Sequence, residues 1–177
     1  LALRNLDDTE LTEKALRKSM LGEERAGRIL ESMLAMAGGQ EQPKDEHSVR
    51  PLVMEIFDCL ARDFSKDGID VRIEIDEDVR VWAEPVGLQQ ALMNLILNAR
   101  EAMLGRGGTL TIQAHEDGSS SEIVISDTGR GMEPEQRDCI FEAFYTTKDD
   151  NSGCEKHGTG LGLALCQWVM DAHGGSI

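Results

Sequence analysis

Aromatic residues are scarce in this chain of 177 residues, at 4% of the total. Any core must therefore be built on Leu, Ile, Val, Met and Ala, which the hydrophobic content of 40% can supply. No apolar run is long enough to span a bilayer, and Leu1 opens no signal-peptide pattern. Basic residues are outnumbered: 18 Lys and Arg stand against 33 Asp and Glu, a net charge of −15. No basic patch is visible, which disfavours nucleic-acid binding by the surface. The four cysteines, Cys59, Cys139, Cys154 and Cys166, form no C-x-x-C pair, which argues against a zinc or redox motif. Cys59, Cys139 and Cys166 fall in apolar helical patterns and read as buried small hydrophobes in a reducing compartment, the cytoplasm. Cys154 lies in a polar loop.

What is present begins with an amphipathic helix. Asp7-Asp8-Thr9-Glu10 resembles a capping signal. Ala26, Ile29, Leu30, Met33, Leu34 and Ala37 then repeat at three and four, and Gly38-Gly39 ends the pattern. This stripe either packs on the next domain or forms one arm of a dimerising helical hairpin. Its separation by a polar linker, Gln40 to Glu46, favours the hairpin. The boundaries predicted are residues 1–39 for the helix, 40–50 for the linker and 51–177 for the globular domain.

Within that domain, Leu52 to Phe64 reads as a helix. Val71, Ile73 and Ile75 alternate with charges as a half-buried strand, and Val79 to Trp82 is a second. Pro85 opens a helix running to about Leu104. Thr109 to Ala114 and Glu122 to Ser126 are further strands, joined by a turn over Glu116 to Ser121. Pro134 to Phe141 is a short helix, and Leu161 to His173 a longer one ended by Gly174-Gly175. The order predicts an α+β fold, a two-layer sandwich of a mixed β-sheet with helices on one face.

Four motifs follow one another within about seventy residues. The first is the run Asn94-Leu-Ile-Leu-Asn98-Ala-Arg-Glu-Ala102. Leu88, Leu92, Leu95, Ala99 and Ala102 form its core stripe, and Gln90, Asn94, Asn98 and Glu101 a polar one. Asparagine is a mediocre helix former, so two aligned amides need a reason. A solvated face is the bland one. An amide oxygen at a cleft edge is also a hard, neutral ligand suited to Mg²⁺ that bridges phosphates. The second, Asp127-Thr-Gly129-Arg-Gly131-Met132, follows a strand. It is either a plain turn or a carboxylate that accepts the exocyclic amine of adenine, with glycines admitting close approach. The third, Phe141 to Lys148, reads as a lid: Phe141 and Phe144 anchor it, Thr146, Thr147 and Lys148 open a polar stretch, and Lys148 is able to reach terminal phosphates. A hydrophobic helix end before a plain loop is the alternative. The fourth, Gly158-Thr159-Gly160-Leu161-Gly162-Leu163, precedes an apolar helix, whose N-terminal N–H groups suit a phosphate. It is neither the dinucleotide pattern nor a Walker loop, and a flexible linker fits poorly with the interleaved leucines.

Together the motifs resemble the four boxes of the GHKL (Bergerat) ATP-binding fold, and within it the catalytic domain of bacterial sensor histidine kinases, over about Pro51 to Ile177. The resemblance implies a kinase that binds ATP and Mg²⁺, moves the γ-phosphoryl group to a histidine on a dimerisation domain, and passes it to a response regulator receiver domain. It implies Asn98 as the metal ligand and Asp127 as the adenine reader. Gly129, Gly131, Met132, Thr147, Lys148, Gly158, Thr159, Gly160, Leu161, Gly162 and Leu163 would surround the nucleotide. Asn94, Asn98 and Lys148 would act in catalysis.

ATP-hydrolysing members carry a glutamate one helical turn before the metal asparagine; here that position is Asn94. Asparagine cannot take a proton from water, which favours transfer over hydrolysis. A nucleotide-binding regulatory scaffold and a GHKL ATPase are the alternatives. Of the histidines, His47, His115, His157 and His173, none lies on the N-terminal helix. The chain is therefore expected to hold the second helix of the hairpin without the acceptor helix. The family continues past Gly174-Gly175 with more strand, so the catalytic domain is expected to be C-terminally incomplete, and the isolated chain, which also lacks the acceptor histidine, is not expected to phosphorylate itself.

Overall fold

A computed structural model describes Gly27 and residues 43–60, 63–118, 120–146 and 159–177. The N-terminal stripe and the predicted dimerising helix lie outside these residues, as do Cys154 and His157. The order of elements is β1 (Asp45–Ser48), α1 (Val49–Cys59), a 3₁₀ turn (Phe64–Asp67), β2 (Ile69–Ile75), β3 (Arg80–Ala83), α2 (Pro85–Met103), β4 (Gly108–Asp117), β5 (Ser120–Asp127), α3 (Pro134–Arg137) and α4 (Gly162–Ala172).

β2 runs parallel to β4, from Ile69 beside Gly108 to Ile75 beside Ala114. β5 runs antiparallel to β4, from Leu110 opposite Asp127 to Asp117 opposite Ser120. The sheet is therefore mixed and the fold α+β. A parallel pair needs a long crossover, and here β3 and α2 supply it. β1 and β3 form a separate antiparallel ladder, Asp45 opposite Ala83 and Ser48 opposite Arg80.

The two-residue period of β4 separates the faces. Leu110, Ile112 and Ala114 are buried, at 0%, 0% and 5% exposure. On the other face Gln113 donates to Glu74 (2.7 Å), and His115 pairs with Glu122 (3.2 Å). The apolar face is covered by Leu88, Leu92, Ile96, Ala99 and Met103 of α2 and by Val49, Leu52, Val53 and Ile56 of α1. A second cluster joins α2 to α4 through Ala91, Leu165, Cys166 and Val169, with Leu95 against it. Arg100 reaches back from α2 to Asp67 (Nε to Oδ2, 2.8 Å) and lies over the Phe64 ring at 4.9 Å. Among the described residues no helix is long and apolar enough to cross a membrane.

Both ends of the domain meet at the start of α2. Pro85 occupies its first turn, and the Glu84 carboxylate accepts from Val86 N–H (2.8 Å) and Gly87 N–H (2.6 Å). The Glu84 N–H itself donates to His173 Nε2 (2.9 Å), and His173 Nδ1 contacts Val169 O (2.7 Å). A backbone amide can only donate, so Nε2 presents its lone pair and Nδ1 carries the proton. Lys44 Nζ donates to Ala172 O (2.6 Å), at the negative end of α4.

Several sequence expectations need correction. The end of the predicted linker is strand β1, because the edge of β3 offers its backbone a partner. The helix expected over Leu52 to Phe64 is Val49–Cys59 followed by the 3₁₀ turn, which Asp63 caps through Ser65 N–H. The helix expected to reach Phe141 stops at Arg137. The turn expected over Glu116 to Ser121 is shorter, since β4 and β5 pair out to Asp117 and Ser120. Cys59 is exposed and Cys139 intermediate; of the three described cysteines only Cys166 is buried.

Burial pushes the Cys166 thiol up from its ordinary 9.0 to about 12. Its Sγ donates to Ala91 O at 3.4 Å. The unfolded chain releases this proton near pH 9, whereas the folded one keeps it. The contribution of this group to stability is therefore complete below pH 9 and is lost as pH rises toward 12. Denaturant titrations between pH 9 and 12 should show a shallower fall in stability for Cys166→Ala than for the parent. At pH 8 a thiol reagent should label Cys59 in the native protein and Cys166 only after unfolding.

Candidate functional site

One face of α2 organises the predicted site residues. Asn94, Asn98 and Ala102 are spaced by four, so they stack along the helix over about 12 Å. Both asparagines are partly buried, and neither side chain has a hydrogen-bond partner among the described residues.

At the Asn94 end stands the start of α4. A Cβ built on Gly162 would lie 3.5 Å from Asn94 Oδ1, so a side chain there would touch the amide and glycine leaves that space open. The N-cap residue, Leu161, has no side-chain oxygen to satisfy the first amides, and no side-chain cap bond is made. Its own N–H donates to Thr159 Oγ1 (3.4 Å) while its side chain is buried. Leu163 is partly buried in the first turn.

At the Ala102 end lies the turn after β5. Asp127 sits opposite Leu110 in the register, so it continues the helix-facing row of Ile123 and Ile125 to the rim of the sheet. Gly129 N–H donates to Asp127 Oδ1 (2.8 Å), which leaves Oδ2 directed to other donors. Thr128 extends the ladder: its N–H donates to Thr109 O (3.2 Å) and its Oγ1 accepts from Thr109 N–H (2.9 Å). Arg130 N–H donates to Ala102 O (3.2 Å). Gly129 cannot carry a side chain here, since a Cβ would lie 2.7 Å from Ala102 Cβ and 2.8 Å from Ala102 C. The glycine is required by the protein's own helix. Gly131 has open space around it but a φ of +68°, so its requirement is conformational. Met132 is exposed.

The lid motif differs from expectation in how it is held. Phe144 is 64% exposed, so its ring is not buried as an anchor. Its backbone does the work: Phe144 N–H donates to Gly160 O (2.9 Å), and a Cβ on Gly160 would lie 2.7 Å from Phe144 Cα. Both residues have left-handed φ, +69° for Phe144 and +66° for Gly160. A phenylalanine pays for that conformation in steric strain, which surrounding contacts must hold in place. Thr147, Lys148 and Gly158 lie outside the described residues.

The structure thus brings Asn94 to Gly162, and Asp127 with Gly129 to Ala102, with Asn98 between them on the same helix. Among the described residues no group of three His, Cys, Asp or Glu could hold a metal ion. A neutral amide fits Mg²⁺ that keeps its waters and bridges phosphates, rather than an all-protein cage. Sequence reasoning read Ala102 only as core and missed its contact with Gly129. The available signal was its spacing, one turn beyond Asn98.

Residues 83–177 match the family described as histidine kinase-, DNA gyrase B- and HSP90-like ATPases, and the chain belongs to it. Among curated relatives it is similar to sensor histidine kinase ZraS of Salmonella typhi, 33% identical over 156 residues. That match covers 87% of this chain and 32% of the relative, so the chain spans about a third of such a protein's length. Among solved structures it is similar to the catalytic domain of histidine kinase ThkA, at 30% identity and a TM-score of 0.65, covering 75% of this chain and 85% of that one. The fold is also shared with ThkA solved in complex with response regulator protein TrrA, at 24% identity and a TM-score of 0.74, covering 95% of this chain and 46% of that one.

Proposed function

We propose that this chain is the ATP- and Mg²⁺-dependent catalytic portion of a two-component sensor histidine kinase. It moves the γ-phosphoryl group of ATP to a histidine on a dimerisation hairpin, for relay to a response regulator receiver domain. The observation that carries this is the single face of α2, where Asn94 meets the start of α4 and Ala102 meets the turn bearing Asp127. One end suits a phosphate chain and the other a base. The receiver domain enters because ThkA, whose catalytic domain is similar, is solved with a response regulator.

In this reading Asp127 Oδ2 accepts the adenine amine, with Met132 beside the base. Asn98 would hold Mg²⁺, which would supply positive charge to offset that of the phosphates. The first amides of α4, at Gly162 and Leu163, face the phosphates, with Thr159, Gly160 and Leu161 shaping their approach. Thr147, Lys148 and Gly158 complete the lid side. The bond between the γ-phosphorus and its bridging oxygen breaks, a bond to an imidazole nitrogen forms, and ADP leaves. Positioning and charge neutralisation carry most of such chemistry. Residues 1–39 supply the dimerising helix that brings two copies together, and the catalytic domain begins at β1, Asp45, rather than at 51. The site faces the cytoplasm, where ATP and the receiver domain are found.

The test is transfer of labelled γ-phosphate from ATP to a separately supplied hairpin carrying an acceptor histidine. Acid-labile label on that histidine is expected; ATP binding without any transfer would sink the kinase assignment. Asn94 supplies a second measurement. Because an amide cannot take a proton from water, Asn94→Glu should convert the protein to steady phosphate release, read in a coupled phosphate assay.

A further inference from the structure

Ala102 occupies the last turn of α2, where helix carbonyls run out of intrahelical partners. Glu101 O is taken by Leu104 N–H (3.3 Å), and Met103 O by Arg106 and Gly107 N–H (3.1 and 3.0 Å), all within the same connection. Ala102 O is different: its partner is Arg130 N–H, from the turn after β5, 28 residues further along the chain. The Ala102 methyl group meets the same turn a second time. It lies so close to Gly129 that a Cβ there would come within 2.7 Å. Gly129 N–H in turn holds Asp127 Oδ1. A carbonyl and a methyl of one residue thus grip the two residues that follow Thr128, and one of those fixes the Asp127 carboxylate.

We propose that Ala102 is a positioning residue for base recognition: its carbonyl and methyl set where the Asp127–Gly131 turn stands relative to the helix that carries Asn98. Helix α2 then acts as a common reference for the two ends of the nucleotide. Any larger side chain at 102 displaces the turn and moves Asp127 Oδ2 off the adenine amine. Alanine gives the separation the turn needs, since Gly129 already presents bare backbone. This inference rests on the reading of Asp127 as the adenine acceptor.

The experiment compares affinities for ATP and inosine triphosphate, whose base carries a carbonyl in place of the exocyclic amine. Both are measured with Mg²⁺ on the purified protein. The parent should prefer ATP. Ala102→Val should weaken ATP roughly tenfold and inosine triphosphate little, because a hydrogen bond is lost to misplacement while phosphate contacts stay. A purely structural role would weaken both nucleotides equally, and that result, or an unchanged ratio in folded protein, overturns the proposal. Should Ala102→Val fail to fold, Ala102→Gly answers the same question: without the methyl group the turn shifts, and the preference for ATP should fall while inosine triphosphate binds as before; an unchanged ratio overturns the proposal. Asp127→Ala is run alongside. If it leaves the preference intact, the reading of Asp127 itself fails, whichever way the Ala102 variants behave.

Discussion

Asp127→Ala will lower ATP affinity by roughly 2 to 3 kcal/mol, or about 30- to 150-fold, the usual worth of a hydrogen bond to a charged acceptor. The carboxylate stands at the end of β5 in the row that faces the helices, yet it is exposed in the free protein. Its removal frees Gly129 N–H, which water can satisfy, so the melting temperature should hardly move. Calorimetric titration with Mg²⁺ present separates these effects. A loss of less than threefold, in protein that melts normally, would remove Asp127 from the binding site.

Asn98→Ala should reduce phosphotransfer on the order of 10² to 10³-fold, the scale seen when one preorganised electrostatic contact is deleted. The same change should make the protein no less stable. Asn98 lies inside α2, where alanine is the better helix former by up to about 0.7 kcal/mol. A substitution that holds or raises the denaturation midpoint while abolishing transfer is the signature of a residue kept for function against its own helix. Parallel measurement of the Mg²⁺ dependence of ATP binding should show that dependence flattened. Full activity with Ala at 98 would place the metal on other ligands.

The parts legible in the sequence are those where local pattern and tertiary packing agree. α2 has a proline in its first turn, a regular apolar stripe and a glycine-rich exit, and it forms from Pro85 to Met103 as expected to within one residue. β4 and β5 alternate cleanly and pair as a hairpin. β1 was not legible, because Asp45-Glu46-His47-Ser48 has no apolar alternation; only the edge of β3 makes it a strand. α1 breaks after Cys59 although apolar residues continue through Leu60 and Phe64, and Phe64 is buried from a 3₁₀ turn instead. At the site, the two amides and the strand-end carboxylate announce themselves by residue type. The Ala102–Gly129 contact and the left-handed Phe144 backbone do not, since each depends on a close approach between segments distant in sequence. Aromatic residues invite a reading as anchors, and for Phe144 the anchor turned out to be its amide.

The β1–β3 ladder and the Lys44 contact have a mechanical consequence. The chain reaches this domain already tethered at two places, four paired residues along β3 and one ammonium at the C-terminal end of α4. That end lies one helix length, about 16 Å, from Gly162, the glycine beside Asn94. The domain therefore cannot swivel at residue 45 or beyond without shearing a sheet, and any pivot between it and what precedes it must lie upstream of Lys44. Torque applied there is delivered to the far end of the helix that begins beside Asn94.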